Sequence, residues 1–149
     1  METGVTNLME EIRRTFALDD VEIRSYSPLV LAYIGDGIYE LVIRSLLAGR
    51  GNAHVSALHK KASSLVNAAA QSAMSGRIKE RLTEEEQQIF RRGRNANTAT
   101  MAKHASMSDY RRATGFEALM GYLYLTGQTE RLLELVKLGL EEELCGTKN

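Results

Sequence analysis

The sequence has a single cysteine, a single proline and no tryptophan among its 149 residues. One cysteine cannot form a disulfide within the chain, so we expect a packed core and a reducing, cytoplasmic location. No apolar run approaches the length of a membrane span, and the N-terminal METGVTNLMEEIRR lacks the apolar segment of a secretion signal. Because proline is nearly absent, we expect helices joined by short connections that contain glycine.

Net charge is absent as well, since 19 basic residues balance 19 acidic ones. The total therefore gives no sign of a nucleic-acid partner, but the distribution is uneven. Residues 91–128 carry six basic and two acidic side chains, whereas residues 1–27 carry three basic and six acidic ones. The length predicts one domain over residues 1–149, with an N-terminal helix and connection over 1–25 and a frayed tail over 145–149.

Histidine is scarce, and the three present do not form a metal set. His54 and His59 are five residues apart, so they do not have the four-residue spacing of a helical zinc site, and no cysteine pair completes one. The glycine-containing turn at 49–52 lacks the Lys-Ser/Thr ending of a phosphate-binding loop. A hard cation held by oxygen ligands is the better metal hypothesis.

Apolar residues recur at helical spacing, and no alternating strand pattern occurs. The predicted architecture is therefore all-α. The pattern, with a capping box at Thr83–Glu86, predicts helices that cover residues 5–16, 28–47, 54–75, 84–92, 108–126 and 130–144. Gly93 is expected to end the fourth of these helices.

Two isolated acids lie in strongly apolar helices. Asp36 stands between Gly35 and Gly37 in PLVLAYIGDGIYELVIRSLL, a segment that is apolar on nearly every side. We expect this helix to be buried all round, against its own domain with a second subunit as a further candidate partner. An ionised carboxylate in such a place must be hydrogen-bonded, paired or bound to a metal. The glycines weaken the helix, which predicts a close approach to its backbone. Glu117 is embedded in the same way in ATGFEALMGYLYLTG.

Asp36 by itself has a structural explanation that is as good as a functional one. A buried aspartate can cap a neighbouring helix or pair with an arginine. Glu40 lies one turn later, where it can share a cation with Asp36 or point to solvent. A second acid from another helix favours the functional interpretation, and Glu117 is the best candidate.

Three motifs carry a resemblance to the ribonuclease III family. LAYIGDG at 31–37 resembles its signature helix, usually written LEFLGDA or LEFLGDS; FEALMGYLYL at 116–125 resembles the second acidic motif VEALIGAIYL; and SSLVN at 63–67 resembles ASLVN. The chain is most similar to the mini-ribonuclease III class, a nuclease domain without an appended double-stranded-RNA-binding domain. Characteristic of that class are LAYIGD, HKK, TEEE, RGRNA and FEAL in this order, and the resemblance covers residues 26–140.

The resemblance implies a Mg²⁺ site, with Mn²⁺ as a substitute, at Asp36 and Glu117, which match the signature aspartate and the closing glutamate. Full-length ribonuclease III enzymes carry two further acids, at positions that are Ala32 and Thr114 here. The site is therefore expected to rely more on water, on substrate phosphate and on support from Thr114 or Glu40. The number of metal ions stays open.

Basic and amide side chains elsewhere are predicted to contact RNA. Lys60 and Lys61 lie near the start of the third predicted helix and can hold backbone phosphates, although a solvated helix face is an equally ordinary explanation. Residues 92–108 are small and polar without a hydrophobic period, which predicts a mobile loop that contacts duplex RNA across its minor groove, rather than a plain surface connection. The side chains singled out there are Arg94, Asn95, Asn97 and Lys103.

Taken with the residues, the resemblance implies a homodimeric endonuclease that hydrolyses double-stranded RNA and leaves 5′-phosphate and 3′-hydroxyl ends with short 3′ overhangs. The implied substrate is the terminal stem of precursor large-subunit (23S) ribosomal RNA, with a ribosomal protein on that RNA as a candidate partner. Two alternatives remain. One is a helical RNA-binding module without catalysis, motivated by Ala32 and Thr114; the other is a purely structural helical dimer, motivated by the zero net charge.

Overall fold

The computed structural model describes residues 8–96 and 106–145, with side chains described as far as residue 140. In these residues the architecture is all-α, as predicted, and contains no strand. Two 3₁₀ turns, Ile23–Ser25 and Lys79–Arg81, lie in the connections. The helices are α1 Leu8–Thr15, α2 Pro28–Gly49, α3 Val55–Val66, α4 Ala68–Ile78, α5 Glu84–Arg94, α6 Met107–Leu125 and α7 Thr129–Cys145.

The helix at the centre of the molecule is α6, which packs against α2, α4, α5 and α7. Its central residues are buried on every side because the sequence there is apolar or small at nearly every position. They are Ala113, Thr114, Gly115, Phe116, Ala118, Leu119, Met120, Gly121, Tyr122 and Leu123. The helix that is buried on every side is thus α6. The prediction that α2 is buried all round is wrong for the chain by itself.

Only one face of α2 is buried, through Leu31, Tyr39 and Ile43, which are at most 1% exposed. Tyr39 packs edge-on against Phe116 of α6, with ring centroids 5.2 Å apart, and donates its hydroxyl to the carbonyl of Leu65 at 2.8 Å. The opposite face has no partner within the described chain. It exposes the large apolar side chains of Leu29, Val30, Tyr33 and Leu41.

Glycines allow the backbones of α2 and α6 to touch where the two helices cross. A Cβ atom on Gly35 would overlap the carbonyl oxygen of Glu117 and come within 2.8 Å of the Gly121 nitrogen. A Cβ atom on Gly121 would overlap the carbonyl oxygen of Leu31. The predicted close approach is confirmed for Gly35 and is wrong for Gly37, which has no atom within 4 Å of its Cβ position.

The helix predicted over residues 54–75 is in fact two helices, because Asn67 has extended backbone angles, with φ −74° and ψ 167°. The Asn67 side chain accepts a hydrogen bond from the Ala70 nitrogen at 2.8 Å and donates one to the Ser63 carbonyl at 3.1 Å. Asn67 thus ends α3 and caps α4. The helical spacing of apolar residues continues on both sides of Asn67. The spacing therefore gave no indication that one helix ends and another begins there.

Gly93 does not end the fourth predicted helix, since α5 continues to Arg94. Gly93 is buried, and a Cβ atom there would lie 2.8 Å from the Cβ of Ala118 and 3.0 Å from the Cα of Gly115. The absence of a side chain at Gly93 therefore allows α5 and α6 to pack closely, and it does not mark the end of a helix. The predicted loop begins correspondingly later, and residues 97–105 lie outside the described part of the chain.

Glu86 links the start of α5 to α7. It completes the predicted capping box, in which its carboxylate accepts from the Thr83 nitrogen at 2.9 Å and its own nitrogen donates to the Thr83 hydroxyl at 3.2 Å. The same carboxylate accepts hydrogen bonds from Arg131 at 2.8 and 2.9 Å. These bonds lower the pKa of Glu86, so the local cap is also a tertiary contact.

The helix predicted over residues 5–16 is described as α1 from Leu8 to Thr15, and residues 1–7 lie outside the described part. None of the α1 residues is buried. Residues 146–149, most of the predicted frayed tail, also lie outside it. Among the described helices, none is both long and apolar enough to cross a membrane.

Candidate metal and nucleic-acid site

The crossing of α2 and α6 brings Asp36 and Glu117 together. Asp36 follows Gly35, whose missing side chain lets α2 rest on the backbone carbonyl of Glu117. The two carboxyl groups lie close enough for Asp36 to raise the pKa of Glu117. Glu117 is partly buried and Asp36 is exposed. The expectation that Asp36 lies in a low-dielectric interior is therefore wrong, because its helix presents it at the edge of the contact with α6.

The buried partner, Glu117, has a strongly altered acidity. Burial, followed by the charge of Asp36 and the hydrogen bond with it, raises the pKa of Glu117 to about 8. Two carboxylates in contact repel each other, and the one with less water around it keeps its proton to a higher pH. Glu117 therefore keeps its proton at neutral pH when no cation is bound.

Gln71 of α4 approaches Glu117 from the other side and was missed from the sequence. Only 1% of Gln71 is exposed, and its side chain acts to lower the pKa of Glu117. Its Nε2 atom nevertheless makes no hydrogen bond of good geometry in the described chain, so the contact is an approach rather than a formed bond. A buried polar group in this state costs about 1–3 kcal/mol. The sequence did contain a signal for this residue. Gln71 lies at helical spacing from Met74 and Ile78, whose side chains face the core, so a long polar side chain is expected on the same inward face of α4.

The oxygen donors at this site fit a hard divalent cation. A doubly charged ion held by Asp36 and Glu117 would offset the repulsion between the two carboxylates. Within the described residues, no group of three or more acidic, histidine or cysteine side chains could hold a metal. Of the acids that the structure describes, Asp36 and Glu117 are the pair brought together here, and other ligand positions would be open to water and phosphate oxygens.

The two residues predicted to support the site lie in different surroundings. Glu40 is ion-paired with Arg44, 2.6 Å away, so its carboxylate is already engaged on the outer side of α2. Thr114 is buried one turn before Glu117 and donates its hydroxyl proton to the Tyr110 carbonyl at 3.0 Å. Ala32 is also buried, with 7% exposure, and supplies no ligand.

The predicted RNA-contacting residues that the structure describes lie on α3 and at the end of α5. Lys60 is exposed and Lys61 is partly exposed on α3. Arg94 ends α5 and donates to the Asn95 side chain at 3.2 Å. Asn97 and Lys103 lie outside the described residues. Beside Asn95 is a groove of about 540 Å³ that the sequence analysis did not identify, lined by Pro28, Gln88, Arg91, Arg92 and Asn95.

The raised pKa of Glu117 predicts an unusual pH dependence of stability without metal. The folded chain binds this proton more tightly than the unfolded chain, whose carboxyl has a pKa near 4.5. The stabilisation is complete below about pH 4.5 and is lost as pH rises to about 8. In EDTA, wild-type Tm should fall across this window, whereas Tm of Glu117→Gln should change less and exceed the wild-type value at the alkaline end. Parallel Tm profiles of the two proteins would contradict the prediction.

Comparisons with known proteins agree with this geometry. The Ribonuclease III domain family matches residues 29–128. The Mini-ribonuclease 3 of Clostridium tetani is 48% identical over 118 residues, covering 78% of each chain, and that of a Thermoanaerobacter species is 44% identical over 135 residues, covering 91% of this chain and 95% of the relative. A crystal structure of a Fusobacterium nucleatum protein superposes with a TM-score of 0.76 at 33% identity, covering 84% of this chain and 96% of that one.

The matched segment spans both acidic helices, from α2 through the whole of α6. Similarity over more than three quarters of the chain at 44–48% identity goes well beyond a shared helical fold. The chain belongs to the ribonuclease III family, in its mini-ribonuclease III class.

Proposed function

We propose that this chain is an endoribonuclease that hydrolyses phosphodiester bonds of double-stranded RNA and requires Mg²⁺, for which Mn²⁺ can substitute. The observation that carries the proposal is the carboxyl pair of Asp36 and Glu117, which joins the two acidic motifs of the family at one point. Membership of the ribonuclease III family supports RNA as the substrate.

Asp36 and Glu117 are proposed to hold the cation through their carboxylate oxygens. Glu117 would have to be ionised to hold the cation, and the exposed position of Asp36 would leave the site open to a phosphate of the RNA. When bound, Mg²⁺ supplies charge stabilisation at phosphorus and a bound water of lowered pKa. The proposed products carry 5′-phosphate and 3′-hydroxyl ends.

Duplex RNA is proposed to lie across the basic residues of α3 and the end of α5. Lys60 and Lys61 on α3 and Arg94 and Asn95 after α5 present cationic or amide groups that suit phosphate and 2′-hydroxyl oxygens. Asn97 and Lys103 remain predicted contacts. Because cations released from RNA drive such binding, affinity should fall steeply as salt concentration rises.

A homodimer is proposed through the exposed face of α2. Tyr33 is 81% exposed, and Leu29, Val30 and Leu41 are 40–48% exposed beside it. A contiguous apolar face of this kind is typical of an interface rather than of free surface. A dimer would supply two Asp36–Glu117 sites, one for each strand of the RNA.

Tyr33→Asp is expected to convert the dimer to a monomer, because it places a charge at the centre of this face. Sedimentation velocity should show the loss of the dimer, and cleavage of both strands of a duplex should fall with it. Leu133→Asp, at an exposed leucine on α7, is the matched control and should remain dimeric. A dimeric Tyr33→Asp variant would place the interface elsewhere.

The proposed substrate is the terminal stem of precursor 23S ribosomal RNA in the cytoplasm, with a ribosomal protein that helps to position it. The modest basic charge of the described surface supports a positioning partner. A duplex taken from that stem, naked or carrying its ribosomal protein, should be cut in Mg²⁺ and left intact in EDTA. Equal rates on the two forms would argue against the partner.

The same assay separates the alternatives. A catalytically inactive RNA-binding module would bind the duplex with a strong salt dependence and cut it in neither condition. A purely structural dimer would show no salt-dependent affinity for duplex RNA. Cleavage that needs Mg²⁺ excludes both, whereas cleavage that is equal in Mg²⁺ and EDTA would contradict the proposed metal site.

A further inference from the structure

The buried amide of Gln71 is the polar group nearest the site that the proposed function does not use. Gln71 lies in the first turn of α4, where its backbone nitrogen donates to the Asn67 carbonyl at 3.0 Å. Because Asn67 caps α4, the start of this helix is fixed and the side chain of Gln71 is directed into the interface with α6. There it lies against Glu117.

The chemistry of the two side chains makes the buried amide a suitable partner for Glu117. The Nε2 atom of glutamine can only donate hydrogen bonds, whereas an ionised carboxylate can only accept them. Gln71 is buried, and its Nε2 atom makes no hydrogen bond in the described chain. A carboxylate has two oxygens, so one oxygen of Glu117 could accept from Gln71 while the other faces a cation.

We propose that Gln71 is a positioning residue that holds the ionised carboxylate of Glu117 in the orientation in which it shares a cation with Asp36. The inference rests on the proposed function and adds to it a residue outside both acidic motifs. The site has few protein ligands, since Ala32 and Thr114 supply no carboxylate. With only two carboxylates, the orientation of each one has a large effect on how well a cation is held.

The test replaces Gln71 with methionine, which has nearly the same volume and no amide. In EDTA, Gln71→Met should be as stable as the wild type or more stable, because an unpartnered buried polar group has been removed. Its affinity for Mn²⁺, measured by calorimetry without RNA, should fall about 10- to 100-fold. The Mg²⁺ concentration for half-maximal cleavage should rise by a similar factor, with most of kcat regained at saturating Mg²⁺.

Two variants complete the comparison. Ser75→Ala removes a buried hydroxyl from the same helix that bonds only within α4, to the Ser72 carbonyl, and should leave Mn²⁺ affinity unchanged. Asp36→Asn should lose Mn²⁺ binding. If Asp36→Asn binds Mn²⁺ like the wild type, the proposed metal site is wrong; if it loses Mn²⁺ while Gln71→Met keeps full affinity, only the role of Gln71 is wrong.

A measurement on the unmodified protein applies even if Gln71→Met fails to fold. In ¹⁵N-labelled wild type, the side-chain amide resonances of Gln71 should shift on addition of Mg²⁺, and exchange of their hydrogens with water should slow as the hydrogen bond to Glu117 forms. Side-chain resonances of exposed Gln88 serve as the reference. Gln71 resonances that do not respond to Mg²⁺ would overturn the proposal.

Discussion

Asp36→Asn and Glu117→Gln are each expected to reduce Mg²⁺-dependent cleavage of duplex RNA by about a thousandfold or more. Each substitution keeps the shape of the side chain and removes one of the two carboxyl groups proposed to hold the cation at the crossing of α2 and α6. A metal site contributes several kcal/mol to transition-state stabilisation, and about 1.4 kcal/mol corresponds to a factor of ten in rate. Single-turnover cleavage measured on a gel gives this ratio directly.

Binding separates a catalytic loss from a folding defect. Both variants should bind the duplex with about the wild-type affinity, since phosphate contacts come from the basic residues and not from the acids. Glu80→Gln, which removes an exposed carboxylate from the 3₁₀ turn at Lys79–Arg81, should cut like the wild type. A cleavage rate that is fully retained in both Asp36→Asn and Glu117→Gln would mean that catalysis takes place elsewhere.

Gly35→Ala is expected to lower the free energy of unfolding by about 3 kcal/mol or more, a large overpacking cost. The new methyl group would occupy the position of the Glu117 carbonyl oxygen, and backbone atoms cannot rotate away as a side-chain end can. α2 must therefore move off α6, which also separates Asp36 from Glu117. Denaturant unfolding and cleavage should both be impaired.

Gly37→Ala is the matched control for Gly35→Ala. Gly37 lies two residues later in the same helix and has no atom within 4 Å of its Cβ position. Alanine there should stabilise α2 by about 1 kcal/mol through its higher helix propensity. Wild-type stability in Gly35→Ala would contradict the close contact of the two backbones. If Gly37→Ala lowered the free energy of unfolding as much as Gly35→Ala, the contact between the two backbones would not be the cause of the loss.

Most of the secondary structure is local and could therefore be predicted. Ser27 and Pro28 begin α2, with the Ser27 hydroxyl accepting from the Val30 nitrogen at 3.2 Å, and Thr83 with Glu86 begins α5. Each of these caps bonds to a group only three or four residues away in the sequence. Such a cap can therefore be identified without knowledge of the fold. Asn67 is the exception, because a cap inside a continuous apolar pattern was mistaken for part of one helix.

The candidate site could be predicted in part. The isolated positions of Asp36 and Glu117 in apolar helices, and then the resemblance of their motifs, predict that they act as a pair, and the structure brings them close enough to interact. Which of them is buried could not be inferred, because both helices are apolar and burial depends on the neighbours of each helix. Gln71 was missed for the same reason. The role of a single glutamine depends on which residue of α6 it faces when α4 packs against that helix, and the sequence does not show this.

The sequence by itself determined most of the helices and caps, the membership of a family and the identity of the two acids, because composition, spacing and motif are properties of the chain. Only the tertiary structure decided that α6 rather than α2 is the central helix, that the close approach predicted beside Asp36 occurs at Gly35 and not at Gly37, that Gly93 and Gly121 also serve helix contacts, and that one face of α2 stays exposed. Each of these features depends on contacts between residues far apart in the chain. Such contacts are selected by shape and burial across the whole core, and no local pattern records them.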